Sequence, residues 1–237
     1  MGGQSEFFDA VFFDMDGLMV DSEPEWFKSE IEVTSPFGYH WTEEDQIACL
    51  GGPLTRVGQY MHDKCNGAQT PEYFTQTLID TQALKMRGST PTMPGALELV
   101  RELQAQGIKT GLVSASPRNI VDAVLDNLGH DLFPFSISSD DVHNTKPSPD
   151  CYLKAATMTN SNIDNCLVFE DSLTGMTAAT SSGAYLIAVP HLVEITESSK
   201  VRVITSLEQM SFSKLQKLFR DFACEIYSLC AGQICLK

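Results

Sequence analysis

The chain has 237 residues, of which 43% are hydrophobic and 20% are charged, and its formal net charge at pH 7 is −15. This composition allows a sizeable buried core and excludes global disorder. The acidic balance argues against a nucleic-acid-binding protein, because contact with a phosphate backbone requires clustered lysine and arginine side chains. If the chain acts on a phosphorylated substrate, a local cation must outweigh the repulsion from the chain as a whole.

The N-terminal residues contain neither the basic nor the apolar segment of a secretion signal, and no apolar run approaches the ~18 residues of a membrane span. We therefore expect a cytoplasmic protein without membrane contact, present as a monomer or a weak homodimer. The seven cysteines are scattered and include no CxxC pair, which favours buried thiols over disulfides or a zinc site. Cys224, Cys230 and Cys235 have a spacing that matches metal ligands poorly.

The first predicted element is a buried strand over 10–13, and the segment after it has a different pattern. From about residue 20 to residue 90, apolar residues recur at helical spacing and no strand pattern interrupts them. We therefore expect an all-helical cap at 20–90, inserted into a core that is formed by residues 1–19 and 91–237.

From about residue 95 onward, short apolar runs alternate with helical patterns. The runs predict buried strands at 110–113, 135–137, 167–169 and 185–189. Strand–helix alternation of this kind predicts a Rossmann-like parallel sheet with helices on both faces. The amphipathic stretch 213–229 is expected to pack as a helix on the edge of this core, with a partner-binding helix as the alternative.

Polar side chains follow four of the five predicted strands, at the edge where ligands bind in parallel α/β sheets. They are Asp14 and Asp16, then Ser114 to Ser116, then Asp140, Asp141 and Lys146, and finally Glu170 and Asp171. Several carboxylates at one edge are costly unless a hard cation is present, and oxygen ligands favour Mg²⁺. This cation and Lys146 would together supply the local positive charge.

The order of these residues indicates phosphoryl transfer. Asp14 ends the first strand, where a rigidly held carboxylate can attack phosphorus and form an aspartyl-phosphate. Asp16 can protonate the leaving oxygen and then activate water, while Ser114 and the adjacent helix N-terminus can hold phosphate oxygens. Each motif alone has an ordinary structural explanation as a loop, a cap or a solvated lysine. Their joint occurrence at four strand ends favours an active site.

In combination, these motifs closely resemble those of the haloacid dehalogenase superfamily of phosphatases. The four motifs of this chain are Phe13-Asp14-Met15-Asp16-Gly17, Ser114, Lys146-Pro147 and Glu170-Asp171. Within the superfamily, the segments 21–26 and 114–117 are similar to the branch of β-phosphoglucomutases and of hexitol and 2-deoxyglucose-6-phosphate phosphatases. The helical segment after the first motif resembles the small helical cap of that family.

The resemblance implies that Asp14 is the nucleophile and Asp16 the general acid and base. It also implies that Mg²⁺ is held by Asp14, the Asp16 carbonyl and Asp171, with Glu170 assisting. The groups that would hold the transferring phosphate are Ser114, Ala115 and Lys146. The implied substrate is a small phosphorylated metabolite such as a sugar or polyol phosphate.

Two alternatives differ in function: a phosphosugar mutase, which would need an activating bisphosphate, and a non-catalytic binding or regulatory protein of the same fold. Trp26 stands where the β-phosphoglucomutases carry a cap-hinge histidine, which weakens the mutase interpretation. Asp16 and the acidic fourth motif argue against the dehalogenases of the superfamily, because these lack both features and the metal.

Substrate selection is expected to come from the cap. The loop 50–56 has the glycines and the single cation expected where a cap meets a sugar. We therefore predict that Arg56 contacts the substrate, with a surface ion pair as the alternative. Trp26 would line the sugar pocket or pack in the core of the cap.

Overall fold

The computed structural model describes residues 7–49, 53–190 and 195–222. Within these ranges the strands are β1 (Val11–Phe13), β2 (Thr110–Val113), β3 (Ser136–Ile137), β4 (Leu167–Glu170), β5 (Tyr185–Ala188) and β6 (Val201–Val203). They form one sheet in the order β3-β2-β1-β4-β5-β6, and every neighbouring pair is parallel. The predicted α/β class is confirmed. Because β1 lies at the centre, the end of this strand is flanked by the ends of β2 and β4.

The edge strand β6 is missing from the strands predicted from the sequence. It has only three residues, and Arg202 interrupts its apolar pattern, so it offers no run that local patterning can detect. Pairing with β5 provides its stability, and the Arg202 guanidinium lies 4.5 Å from the centre of the Phe222 ring.

The described α-helices are α1 (Glu23–Thr34), α2 (Glu43–Cys49), α3 (Leu54–Lys64), α4 (Pro71–Gly88), α5 (Ala96–Ala105), α6 (Arg118–Leu128), α7 (Asp150–Met158) and α8 (Leu173–Ser182). Residues 212–222 form a further helix, which we call α9. The rest of the predicted tail helix, the three late cysteines and residues 50–52 of the predicted cap loop lie outside the described residues.

Helices cover both faces of the sheet, as predicted. Alternate side chains of a strand point to opposite faces, and residues before and within β1 follow this rule. Val11 and Phe13 belong to a buried cluster that includes side chains of α5, α6 and α9. Ala10 and Phe12 belong to a second buried cluster with side chains of α7 and α8. The end of β1 is therefore held from both sides.

Helix α9 packs on the core through the apolar stripe seen in the sequence. Leu215 and Phe222 are fully buried, and the Phe222 ring centre lies 4.7 Å from that of Tyr185 in β5. This placement agrees with the expected helix on the edge of the core. Over the part of the chain that the structure describes, no helix is both long and apolar enough to cross a bilayer.

Helices α1 to α4 surround a third buried cluster of their own, which includes Trp41, Met61 and Phe74. The N-terminus of α4 is capped by the Thr70 hydroxyl, which accepts a hydrogen bond from the Tyr73 N–H at 3.2 Å. At its other end, α4 contacts α6, where the Asn127 amide donates to the Met86 carbonyl at 2.5 Å. The four helices thus have their own core and also pack against the sheet region, through α4 on α6 and through Trp26 of α1.

Two chain segments join these four helices to the rest of the protein, and they run side by side. The Asp21 N–H donates to the Pro91 carbonyl at 2.9 Å, and the Met93 N–H donates to the Met19 carbonyl at 3.0 Å. The entry and exit of the helical segment are therefore tied together next to the end of β1.

Candidate active site

The residues predicted from the strand ends meet at the carboxyl edge of the sheet. Asp14 follows β1 directly, and its backbone N–H donates to the Phe169 carbonyl of β4 at 3.1 Å. The residue is buried, with 6% exposure. The strand pairing therefore fixes this carboxylate in place and leaves it little freedom to move.

Lys146 bridges three of the four strand ends. Its ammonium donates to the Asp14 carboxylate, to the Val113 carbonyl at the end of β2 at 2.8 Å, and to Glu170 Oε1 at the end of β4 at 2.7 Å. An ammonium has three protons, so these contacts use its full donor capacity. Lys146 is only 9% exposed and is held as a fixed positive charge beside Asp14.

Glu170 holds Lys146 from the other side. Its Oε1 also accepts the Tyr152 hydroxyl at 2.7 Å. Its Oε2 accepts the backbone N–H groups of Asp171 and Ser172 at 3.2 and 3.3 Å, and the Ser172 hydroxyl at 3.2 Å. A fully buried carboxylate with five donors acts chiefly to position its neighbours. Tyr152 lies in the first turn of α7, and no motif in the sequence marks it.

Asp16 is oriented by hydroxyl groups from two separate segments. Its Oδ1 accepts the Ser22 hydroxyl at 2.7 Å, and its Oδ2 accepts the hydroxyls of Ser114 and Ser116 at 3.3 and 2.8 Å. Ser114, predicted as a phosphate contact, is thus within reach of Asp16. The sequence places Ser22 close to the first motif, so its contact with Asp16 could have been suspected. The contact between Ser116 and Asp16 arises only because the sheet places the end of β2 beside the end of β1.

Three carboxylates are close enough to hold a cation together. Asp14, Glu170 and Asp171 each offer an oxygen, and these oxygens lie within 4.8 Å of one another. The Asp171 Oδ1 atom is buried and has no hydrogen-bond partner among the described residues. A buried, unpartnered carboxylate oxygen beside two further carboxylates fits a divalent cation such as Mg²⁺. In this structure the Asp16 carboxylate is turned instead to the three serine hydroxyls.

Two glycines leave room for the carboxylates of Asp171 and Glu170. A Cβ atom on Gly17, whose φ is +78°, would lie 2.2 Å from Asp171 Oδ2, and a Cβ atom on Gly175 would lie 1.8 Å from Glu170 Oε1. Both glycines therefore provide the space that the two carboxylates occupy.

The carboxylates of Asp14, Glu170 and Asp171 carry more negative charge than Lys146 alone can compensate. The pKa of Asp14 is raised to about 8, first by burial and then by the charge of Glu170. The pKa of Asp171 is raised to about 9 by burial and by the charges of Asp14 and Glu170. Burial lowers the pKa of Lys146, but Asp14 and Glu170 beside it raise that pKa above its ordinary value overall. A divalent cation would offset this excess.

A cavity of about 1000 Å³ opens from these residues toward α1 to α4. The catalytic side of its wall includes Asp14, Asp16, Ala115 and Lys146, while Trp26 contributes from α1. Trp26 also packs against the buried clusters on both sides, so both of its predicted roles agree with its position. The volume is large enough for a small phosphorylated metabolite.

Arg56 is not brought to this cavity. It is absent from the described lining residues, and its guanidinium donates to the carbonyls of Ala48 and Cys49 at 2.8 and 3.1 Å. It thereby binds the C-terminal carbonyls of α2, where a cation is favourable. In this structure the guanidinium of Arg56 binds a helix end, and its contact with the substrate stays a prediction.

Comparison with known proteins gives a consistent result. The sequence model of the haloacid dehalogenase-like hydrolase family matches residues 11–189. Hexitol phosphatase B of Escherichia coli (strain K12) is 31% identical over 185 residues, which cover 76% of this chain and 83% of that protein. A phosphorylated carbohydrates phosphatase of Thermotoga maritima is 27% identical and covers 74% of this chain and 82% of that protein.

A solved structure agrees with the fold. The β-phosphoglucomutase of Clostridium difficile has a TM-score of 0.78 and 22% identity, and covers 92% of this chain and 100% of that chain. The family resemblance inferred from the motifs is confirmed by the matching family and by its phosphatase members.

The excess negative charge makes stability depend on pH and on Mg²⁺. The pKa values of Asp14 and Asp171 rise from 3.8 to about 8 and 9 on folding, so the folded protein keeps protons that the unfolded chain releases. Metal-free protein should therefore lose stability as pH rises between about 4 and 9. Mg²⁺ should raise the free energy of unfolding by about 2.7 kcal/mol at 100 times its Kd. At one fixed Mg²⁺ concentration the increase should be larger at about pH 9 than at about pH 6, because deprotonated carboxylates bind the cation more tightly.

Denaturant unfolding at both pH values, with and without Mg²⁺, measures this difference. Asp171→Asn removes one ligand oxygen and should abolish most of the Mg²⁺ effect. An equal Mg²⁺ effect in wild type and Asp171→Asn would contradict the metal site.

Gly175→Ala should displace the Glu170 carboxylate from Lys146, since the new Cβ would overlap it. Overpacking of this kind costs about 1–3 kcal/mol of unfolding free energy, and phosphatase turnover should fall as Lys146 loses its anchor. Gly88→Ala is the matched control, because a Cβ at Gly88 meets no atom within 4 Å. Guanidinium denaturation of both variants gives the comparison, and wild-type stability in Gly175→Ala would refute the packing argument.

Proposed function

Because the chain belongs to the haloacid dehalogenase-like hydrolase family and is a phosphoric monoester hydrolase, we propose that it hydrolyses a sugar or polyol phosphate through an aspartyl-phosphate intermediate. The observation that carries the proposal is the bridge from Lys146 to Asp14, in the wall of a cavity that is also lined by Asp171, one of the carboxylates suited to Mg²⁺. The hexitol and carbohydrate phosphatases among its relatives support this substrate class.

In the first step, an Asp14 carboxylate oxygen attacks phosphorus as the bond from phosphorus to the leaving oxygen breaks. Asp16 donates a proton to that oxygen, so the product leaves as an alcohol. In the second step, a water molecule gives a proton to Asp16 and its oxygen attacks the phosphorus of the aspartyl-phosphate. The bond to Asp14 then breaks, inorganic phosphate is released, and both carboxylates return to their starting states.

The surrounding residues prepare these two carboxylates for their tasks. Lys146 keeps a positive charge against Asp14, which lowers the repulsion between the nucleophile and an incoming phosphate. Ser22 and Ser116 hold the Asp16 carboxylate by its two oxygens, so its orientation is set before the substrate arrives. We assign Ser114, Ala115 and Lys146 to the phosphate oxygens.

We assign the metal to Asp14, the Asp16 carbonyl and Asp171, with Glu170 behind them. When bound there, Mg²⁺ would neutralise charge on the phosphoryl group. The unpartnered Asp171 oxygen supports this choice.

We also propose that residues 20–90 act as a cap over a core formed by 1–19 and 91–237. The separate buried cluster of α1 to α4 supports this division. The paired connections at Asp21 with Pro91 and at Met19 with Met93 would let the segment move as a unit about one point. Closure over the cavity would exclude water from the phosphoryl group during transfer.

Asp14→Asn should abolish turnover and leave the fold intact, because the amide is a poor nucleophile of nearly the same shape. We expect phosphate release to fall by more than about 1000-fold. The assay is release of inorganic phosphate from a panel of sugar, polyol and nucleotide monophosphates, with and without Mg²⁺.

The control is Asp80→Asn, which changes an exposed carboxylate on α4 outside the cavity lining. Near wild-type turnover in Asp14→Asn would show that Asp14 is not the nucleophile. Isomerisation that depends on a bisphosphate and releases no net phosphate would support the phosphosugar mutase in place of the phosphatase.

A further inference from the structure

Glu30 is a buried carboxylate in the wall of the cavity, on the side formed by α1. The residue is only 5% exposed, and its Oε2 atom is buried without a hydrogen-bond partner among the residues that the structure describes. The indole N–H of Trp41 is likewise buried and lacks a partner of acceptable geometry. The Trp41 indole acts as a donor toward Glu30, but its single N–H cannot satisfy both oxygens of a buried carboxylate, which is therefore costly to fold.

The charges around Glu30 increase the free-energy cost of burying its carboxylate. The pKa of Glu30 is raised to about 7 by burial, an effect that the nearby Trp41 indole opposes and that the charges of Glu23 and Asp45 increase. The adjacent carboxylate of Asp45 is different, since the hydroxyls of Tyr39, Thr42 and Tyr60 donate to it. Asp45 is thus a structural carboxylate with its partners in place, whereas Glu30 lines the cavity with the Trp41 indole as its one nearby donor among the described residues.

The charges on this side of the cavity have one sign. Among the described lining residues, Asp21, Glu23 and Glu30 are acidic, and the one lysine or arginine is Lys146 at the catalytic end. A leaving group with a second phosphate or a carboxylate would face these acids without a compensating cation. A leaving group with hydroxyls would instead supply the donors that Glu30 lacks.

We propose that Glu30 accepts a hydrogen bond from a hydroxyl of the leaving group, and that with Asp21 and Glu23 it excludes substrates carrying a second anionic group. The inference rests on the proposed phosphatase function and narrows its substrate class to monophosphates with an uncharged, hydroxylated leaving group. Glu30 is thus a specificity residue and takes no part in the transfer of phosphate.

The test compares substrates within one enzyme. For sorbitol 6-phosphate relative to acetyl phosphate, the ratio of kcat/KM values should fall about 10- to 100-fold in Glu30→Leu, since a hydrogen bond to a charged group is lost. In Glu30→Gln, the ratio of kcat/KM for glucose 1,6-bisphosphate to that for glucose 6-phosphate should rise, because a repelling charge is removed while the shape is kept. Glu32→Gln, on the exposed face of the same helix and paired with Lys85, is the matched control.

A merely structural carboxylate would give a different pattern. Both substrate ratios would then stay within about twofold of the wild-type values in both Glu30 variants, whatever the change in their melting temperature. That outcome would overturn the specificity role. Equal changes in Glu32→Gln would overturn it as well.

The wild-type enzyme separates this inference from the proposed function. Mg²⁺-dependent hydrolysis of acetyl phosphate without activity on any polyol or sugar monophosphate would overturn the role of Glu30 and leave the phosphatase standing. Absence of Mg²⁺-dependent phosphate release from every compound would overturn both.

Discussion

The buried ammonium of Lys146 is the interaction on which the site depends. It is the one cation in direct contact with the carboxylates of Asp14 and Glu170 among the described residues, and burying two carboxylates without it would be strongly unfavourable. It also ties the end of β2 to the ends of β1 and β4, so folding of the sheet and assembly of the nucleophile are the same event. Because Asp171 adds a third carboxylate, one ammonium is insufficient, and the remaining imbalance would favour the proposed binding of a divalent cation.

The sequence predicts the parts of the site that depend on strand ends. Asp14, Ser114 and Asp171 each follow a short apolar run, and parallel pairing brings such ends to one edge. Tyr152 could not be predicted in this way, since its contact with Glu170 depends on how α7 packs on the sheet. The same holds for Glu30, which has an ordinary helical pattern around it and becomes unusual only when α1 is buried. Arg56 was singled out as a cation near glycines, a pattern that also suits the carbonyls of a helix end, which it binds in this structure.

Chemistry and selection occupy opposite sides of one cavity. The catalytic side consists of side chains fixed by strand ends and by fully used hydrogen bonds, as in the Lys146 and Glu170 pair. The opposite side comes from α1 to α4, which have their own buried cluster. Residues on that side can therefore change without disturbing the nucleophile. This separation explains why the catalytic residues are readable from motifs, while residues that choose the leaving group depend on the packing of a particular cap.

The net charge of −15 does not prevent an anionic substrate from binding in this arrangement. Charges separated by more than about 8 Å of physiological salt solution are largely screened, so the surface acids act weakly on a phosphate inside the cavity. Within the cavity, Lys146 and a divalent cation can compensate the acids at Asp14, whereas Glu30 has no cation beside it among the described lining residues. A monophosphate therefore has one favourable orientation, with its phosphate on the catalytic side. On the proposed assignment, the location of the compensating cations, more than the total charge, would set both the direction of binding and the class of leaving group.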